Sequence, residues 1–351
     1  MLVLTLLGAA LLAFVHFDIA LTTLTMRGAG PLSSRVMQGM WRGLLAVSPP
    51  GAHRLLAAGG TVVVVAAILL WIVLLWTGWS LVFLGGGDAV VRTDTGRPAD
   101  FWDTVYFAGF TLFTLGLGDF RPEGAVWQVL TGACVANGLV ALTMAVTYFM
   151  PVLSAAAGRR QLAAQIHCLG STPDRILELS WNGSNFAAVG EALNDLTPAI
   201  ILQSQQHLAY PALNYFHSDE QKTSLPLRLA ALDEALSIMV HAVPAAATPE
   251  RLALTRARSA IGCLLDVLDA AHIEAAEEPP PPPPAGRLAR SDLPALDLAT
   301  LAEGLATCRQ RRCLLLGWVR NDGRRWAEVW EPPEGGSPGD PRHGSPGPTP
   351  P

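Results

Sequence analysis

Residues 101–124 read FWDTVYFAGFTLFTLGLGDFRPEG. The stretch is too short and too interrupted by glycine to cross a bilayer, which takes about 20 apolar residues. It is also too apolar for a loop in water. A half-length apolar helix followed by glycine-rich backbone is stable at membrane depth only where it is buried in protein or lines a water-filled cavity. The pattern therefore predicts a re-entrant segment, with a short helix over 100–113 and an irregular loop over 114–119. Its flanks agree. Residues 61–84 and 125–157 carry no charge, and residues 1–25 are apolar apart from threonines, His16 and Asp18. Each is long enough to span a membrane, giving expected spans at 1–25, 61–84 and 125–150.

Composition narrows the class. Half the residues are hydrophobic, 15% are charged, and the mean hydropathy is +0.34. Soluble domains carry about 25% charged residues, so a disordered chain, a nucleic-acid binder and an ordinary soluble enzyme are all disfavoured. The net charge of −5 is a small difference between 24 basic and 29 acidic groups and decides nothing. The five cysteines have no Cys-x-x-Cys spacing and imply no disulfide framework or zinc site.

The loops set an orientation. Residues 26–60 hold Arg27, Arg35, Arg42 and Arg54 and no acid. Residues 85–125 hold three Arg against Asp88, Asp94, Asp100, Asp103, Asp119 and Glu123, and Arg159 and Arg160 follow the third span. The positive-inside rule puts the N-terminus outside and everything after about 158 in the cytoplasm, in a multi-pass protein of the cell membrane. Within 26–60, Val36, Met37, Met40, Trp41, Leu44 and Leu45 recur at helical spacing. This suits a short interfacial helix, or a cytoplasmic extension of a span.

In Thr114-Leu115-Gly116-Leu117-Gly118-Asp119, glycine takes alternate positions. Successive carbonyls point the same way along an axis only if residues alternate between ordinary and positive φ, which glycine does without steric penalty. Four such strands would stack carbonyl rings able to replace a cation's hydration shell. The Thr114 hydroxyl would form the innermost ring, and Leu115 and Leu117 would point away from the axis. Asp119 would gather cations at the outer mouth. The C-terminal dipole of the 100–113 helix would favour a cation in the inner cavity.

These residues resemble the potassium-channel signature Thr-Val-Gly-Tyr-Gly-Asp. The approach through Asp103, Tyr106, Phe107, Thr111 and Thr114 is similar to the pore helix of bacterial channels with two transmembrane helices and a pore loop. The resemblance covers about 61–155. It implies a homotetramer in the lipid bilayer that passes potassium at the carbonyls of Thr114, Leu115, Gly116, Leu117 and Gly118, with no cofactor beyond the permeant ion. It also implies a gating hinge at Gly138, although glycine serves close packing in membrane helices equally well. Two departures stand out. Leu117 replaces a Tyr whose hydroxyl bonds an aromatic cuff, here including Trp102, and Phe113 replaces a Thr. Leucine cannot make that bond, so potassium-over-sodium selectivity is less secured than conduction. The competing expectation is a membrane sensor or signalling scaffold that retains the pore fold and conducts poorly.

Asn137 beside Gly138 suits either the cavity wall or a bond to a neighbouring helix. A charged Asp18 at mid-span costs about 3 kcal/mol on insertion scales, so it faces protein or is paired. His16 and Asp18 together read as a packing contact or as a pH sensor. No span carries Arg at every third position, so steep voltage gating is not expected.

Residues 158–276 read as a helical cytoplasmic domain. Thr172-Pro173-Asp174 and Thr248-Pro249-Glu250 are helix starts, and 227–240 and 252–268 have helical period. His207 and His217 lie too far apart, without cysteine nearby, for more than a weak metal site, and core packing suits them better. No Gly-x-Gly-x-x-Gly, P-loop, nucleophile elbow or His-Glu-x-x-His occurs, so no enzyme is expected and any cytoplasmic ligand is unidentified. A polyproline spacer at 277–297, a C-terminal helical segment at 298–330 and a disordered tail at 331–351 complete the chain; within 298–330, Leu298–Arg320 reads as one helix stopped at Asn321-Asp322-Gly323, or as a hairpin through the same turn. The expected fold class is an all-α membrane protein with three transmembrane helices, a re-entrant pore helix and selectivity-filter loop, and a mainly helical cytoplasmic domain.

Overall fold

The computed structural model describes residues 1–25, 28–49, 53–271, 273–289, 293–294 and 296–332. Arg27 of the first basic loop, and the expected disordered tail from 333 onward, lie outside the described residues. The chain is mostly helical and divides into two compact units.

The first unit comprises Met1–Arg159, Ile201–Asp219 and Cys263–His272. Its elements are α1 (Leu2–Leu24), α2 (Pro31–Val47), α3 (His53–Gly85), β1 (Val90–Arg92), α4 (Phe101–Leu112), β2 (Phe120–Pro122) and α5 (Ala125–Leu169). Helices α1, α3 and α5 are long and apolar enough to cross a membrane. Two of them outrun the sequence expectation. The helix that holds the second expected span begins at His53, ahead of 61. The helix that holds the third runs on past 150, through Pro151 to Leu169. Proline removes one ladder bond and crowds the preceding turn, yet membrane helices absorb it, and the Ala, Gln and Arg beyond it are good helix formers.

Helix α1 packs along α3, with Gly8 and Gly78 facing each other so that the two backbones approach closely. The join between α1, α2 and α3 is polar and complete. The carboxylate of Asp18 accepts from the backbone N–H of Leu32 at 2.8 Å and of Ser33 at 3.3 Å, from the Ser33 hydroxyl, and from Trp71 Nε1 at 3.1 Å. A residue of α1 thus caps the N-terminus of α2 from outside it, satisfying donors that a helix start leaves open. Asp18 is fully buried, and the packing reading holds for it. His16 belongs to a different contact. Its Nδ1 donates to the Leu12 carbonyl at 2.6 Å, and its Nε2 accepts from the Asn137 amide.

Residues 201–219 also lie in this unit. Arg159 donates to the carbonyls of Leu213 and Phe216, and His217 stacks on His53 with ring nitrogens 3.1 Å apart. His207 is buried, its Nδ1 donating to the Gln203 carbonyl at 2.9 Å. Among the described residues no group of His, Cys, Asp and Glu could hold a metal.

The second unit comprises Arg160–Ile200, Glu220–Gly262 and Ile273–Pro351. It contains α6 (Pro173–Ser180), most of α7 (Ala187–Ala209), α8 (Leu225–His241), part of α9 (Arg251–Ala270), α10 (Ala285–Leu288), α11 (Leu298–Thr307), α12 (Arg309–Asn321) and α13 (Ala327–Trp330). Helix α8 is buried on nearly every face, its charged residues included. Arg311 Nε meets Asp233 at 2.7 Å, and Arg312 grips Glu234 with Nε at 2.7 Å and Nη2 at 3.2 Å. Pairing of this kind offsets the cost of burying the charges.

Three segments differ from expectation. Thr172 caps α6 as predicted. Thr248 instead bonds the Ala245 carbonyl, and α9 starts at Arg251. The segment 298–330 is two helices broken at Cys308, followed by a turn at Gly323 (φ +71°) and a short third helix. The proline-rich segment is no free spacer, because the carbonyls of Pro280 and Pro281 accept from Arg312 at 3.2 and 2.9 Å. A polyproline backbone has no internal hydrogen bonds, which leaves its carbonyls open to such donors.

Candidate functional site

The segment 101–124 starts from a capping box. Asp100 Oδ1 accepts from the N–H of Asp103 at 2.8 Å, and Asp103 reaches back to the N–H of Asp100. Helix α4 then runs to Leu112 with Phe113 as its C-cap, close to the expected 100–113. Behind it, Phe83 of α3 packs edge-on to Phe107, and Phe107 packs edge-on to Phe110. Trp76 of α3 donates Nε1 to the Val105 carbonyl at 2.8 Å and meets the Phe113 ring edge-on. The helix is therefore held at a fixed depth beside α3.

After α4 the backbone takes positive φ at every second residue, with Thr114 at +59°, Gly116 at +57° and Gly118 at +84°. Thr114 is the one non-glycine among the described residues with positive φ. Its strain is offset locally, since its N–H donates to the Thr111 carbonyl at 3.0 Å and the next, that of Leu115, to Phe110 at 2.8 Å. Residues 113–119 are all exposed, and a Cβ on Gly116 or Gly118 would meet nothing within 4 Å. These glycines answer to conformation rather than crowding. Leu115 and Leu117 are 63% and 50% exposed in the single chain, and Trp102 is exposed against Phe101.

The outer end of the loop is tied to a two-stranded hairpin in which Val90, Val91 and Arg92 pair antiparallel with Pro122, Arg121 and Phe120. Just past β1, Thr93 donates its N–H to the Asp119 carbonyl at 2.9 Å and its hydroxyl to the Gly118 carbonyl at 2.7 Å. The Tyr106 hydroxyl of α4 reaches Asp119 Oδ2 at 3.4 Å. Sequence reading named Tyr106 as part of the pore-helix pattern but missed Thr93, for which no local signal exists.

The inner end is held by α5. A Cβ on Gly138 would overlap the Leu112 carbonyl oxygen at the end of α4, so the absence of a side chain lets α5 pass there. Next to it, Asn137 accepts from Trp79 Nε1 at 2.8 Å while its amide serves His16. One side chain of α5 thereby links α1, α3 and the level at which α4 ends. A small apolar cavity of about 90 Å³ lies at this junction, with Leu75, Leu112, Phe113, Thr114, Gly138 and Leu142 on its walls. All of the expected site residues but Gly138 fall in one loop, and Gly138 meets that loop's root.

A family model described as ion channel matches residues 61–155. The Uncharacterized membrane protein YdjJ of Bacillus subtilis (strain 168) is 33% identical over 320 residues, covering 91% of this chain and 94% of the relative. No solved structure matches the chain. With a helix, the short α4 and a second helix over the matched residues, and with a further apolar helix ahead of them, the chain belongs to one family with that membrane protein and carries an ion channel domain over residues 61–155.

Proposed function

We propose that the chain is one subunit of a homotetrameric, potassium-selective channel of the cell membrane. Passive conduction runs through a filter built from residues 114–118. The observation that carries this reading is the alternation of positive φ at Thr114, Gly116 and Gly118 on an exposed loop between two spanning helices. Alternating dihedrals turn the carbonyls of Thr114, Leu115, Gly116, Leu117 and Gly118 toward one side. Four copies then present rings of oxygen that substitute for the ion's water shell. The Thr114 hydroxyl closes the inner end. Asp119 supplies negative charge at the mouth, and the C-terminus of α4 directs its dipole at the cavity.

Assembly is supported by what a single chain leaves bare. The most apolar stretch of α5 is only 11% buried, and Val126, Val129, Leu142 and Met150 on it are exposed. Part of that surface suits neighbouring copies and part the bilayer. Leu115 and Leu117, uncovered in one chain, find their cover in the next. The N-terminus lies outside and the second unit in the cytoplasm. Residues 61–157 form the pore domain. Gly138 is the hinge: because its backbone touches the Leu112 carbonyl, bending α5 there moves the root of the filter.

Flux of potassium into liposomes holding the purified protein tests the reading, with Gly116→Ala as control. Potassium-driven flux in the wild type and none in the control is the expected result. Equal, negligible flux in both, at varied pH and voltage, would leave the poorly conducting scaffold in its place.

A further inference from the structure

The second unit holds a cleft of about 840 Å³ that conduction does not use. That volume falls in the range of small-molecule sites, about 300–1,000 Å³. Arg251, Thr255, Arg258 and Ser259 recur along α9 at helical spacing, so one face of the helix lines the cleft. Arg311 of α12 stands on another wall. No lining residue is acidic.

The arginines differ in what they are bound to. Arg311 is engaged with the carboxylate of Asp233 and donates Nη1 to the Arg258 carbonyl at 3.2 Å. Arg258 donates to the Ser237 hydroxyl and the Cys308 sulfur, each at 3.3 Å, and both partners are neutral. Among the described residues no carboxylate pairs with Arg258 or Arg251. Elsewhere in this unit Arg312 is paired with Glu234 and Arg324 with Glu328. The cleft thus gathers two uncompensated guanidinium groups, each a fork suited to phosphate oxygens. The hydroxyls of Thr255 and Ser259 lie beside them, and Val240, Val243 and Leu254 give an apolar wall.

We propose that this cleft binds a soluble organic phosphate, with its phosphate oxygens between Arg251 and Arg258 and its carbon body against Val243 and Leu254. The site is independent of the conduction reading.

Isothermal titration calorimetry on the full chain in nanodiscs of neutral phosphatidylcholine tests it, using ADP, pyrophosphate and inorganic phosphate as probes. ADP should bind saturably, inorganic phosphate more weakly, and rising salt should weaken both. Arg258→Gln and Arg251→Gln should each weaken ADP binding by about tenfold or more. Arg251 is exposed, so its variant keeps the test readable if Arg258→Gln fails to fold. No saturable binding of any probe to the wild type would overturn the proposal. So would unchanged affinity in Arg251→Gln, or a signal that arises only in discs containing phosphatidylglycerol.

Discussion

Asp18 shows how a charge can sit inside an apolar helix without chemistry of its own. Its carboxylate takes backbone and side-chain donors from α2 and α3 and is fully buried. Hydrogen bonds to a charged group contribute about 1.5–3 kcal/mol each, and orphaned donors add a penalty. Asp18→Ala should therefore destabilise the first unit by about 3 kcal/mol, read as a lower midpoint of thermal unfolding in detergent, while Asp18→Asn loses less. An unchanged midpoint for Asp18→Ala would contradict the capping role. His207 makes a second case. Burial, reinforced by the nearby Arg159 charge, pushes its pKa down to about 3, against the opposing bond to the Gln203 carbonyl. The unfolded chain takes up this proton near pH 6.5, whereas the folded protein refuses it until about pH 3. Stability is thus full above pH 6.5 and falls as the pH drops through that window, by about 2 kcal/mol at pH 5. Denaturation midpoints followed from pH 7 to pH 5 should show a steeper loss in the wild type than in His207→Gln; parallel curves would refute it. Asp18 was legible as a polar intrusion in an apolar stretch, and His207 as a histidine suited to core packing. Their partners were not, because a cap supplied from another helix leaves no mark in local sequence.

At the level of elements, α4 and the loop after it were legible almost to the residue. An aspartate cap, a short apolar helix and alternate glycines each restrict the local backbone independently of distant contacts. Thr114 was less legible, since its positive φ is imposed by the turn that ends α4 rather than by its own preference. The helices α3 and α5 run beyond the stretches that apolar content marks, through Gly59 and Gly60 in α3 and past Pro151 in α5, although glycine and proline disfavour helix locally. Gly138 was read as a hinge, and its contact with Leu112 lies beyond sequence pattern because it joins two elements. That contact has a consequence. Adding a methyl group in Gly138→Ala forces α5 away from the root of the filter, an overpacking cost of about 1–3 kcal/mol. A lower unfolding midpoint together with reduced potassium flux is expected. A variant with unchanged stability and flux would show that α5 shifts freely there.

For the whole molecule, the low overall charge averages two unlike parts: apolar helices that leave α5 largely uncovered, and a unit whose buried helix α8 is studded with paired charges. Because one re-entrant loop supplies a quarter of a ring, the purified protein in mild detergent should run at four times its 37.2 kDa chain mass once bound detergent is subtracted. Light scattering that returns a strict monomer would speak against any shared filter. The second part was read from sequence only as a series of helices, since ion pairs between α8 and α12 span nearly 80 positions and leave no periodic trace. The central claim remains that Thr114–Gly118 backbone oxygens select and pass potassium even with Leu117 at the fourth position. Reversal potentials in planar bilayers, with potassium on one side and sodium on the other, address it most directly. Currents that reverse toward the potassium equilibrium potential, and vanish in Gly116→Ala, are predicted. A reversal potential at zero under the same gradient, or no current at all, would contradict it.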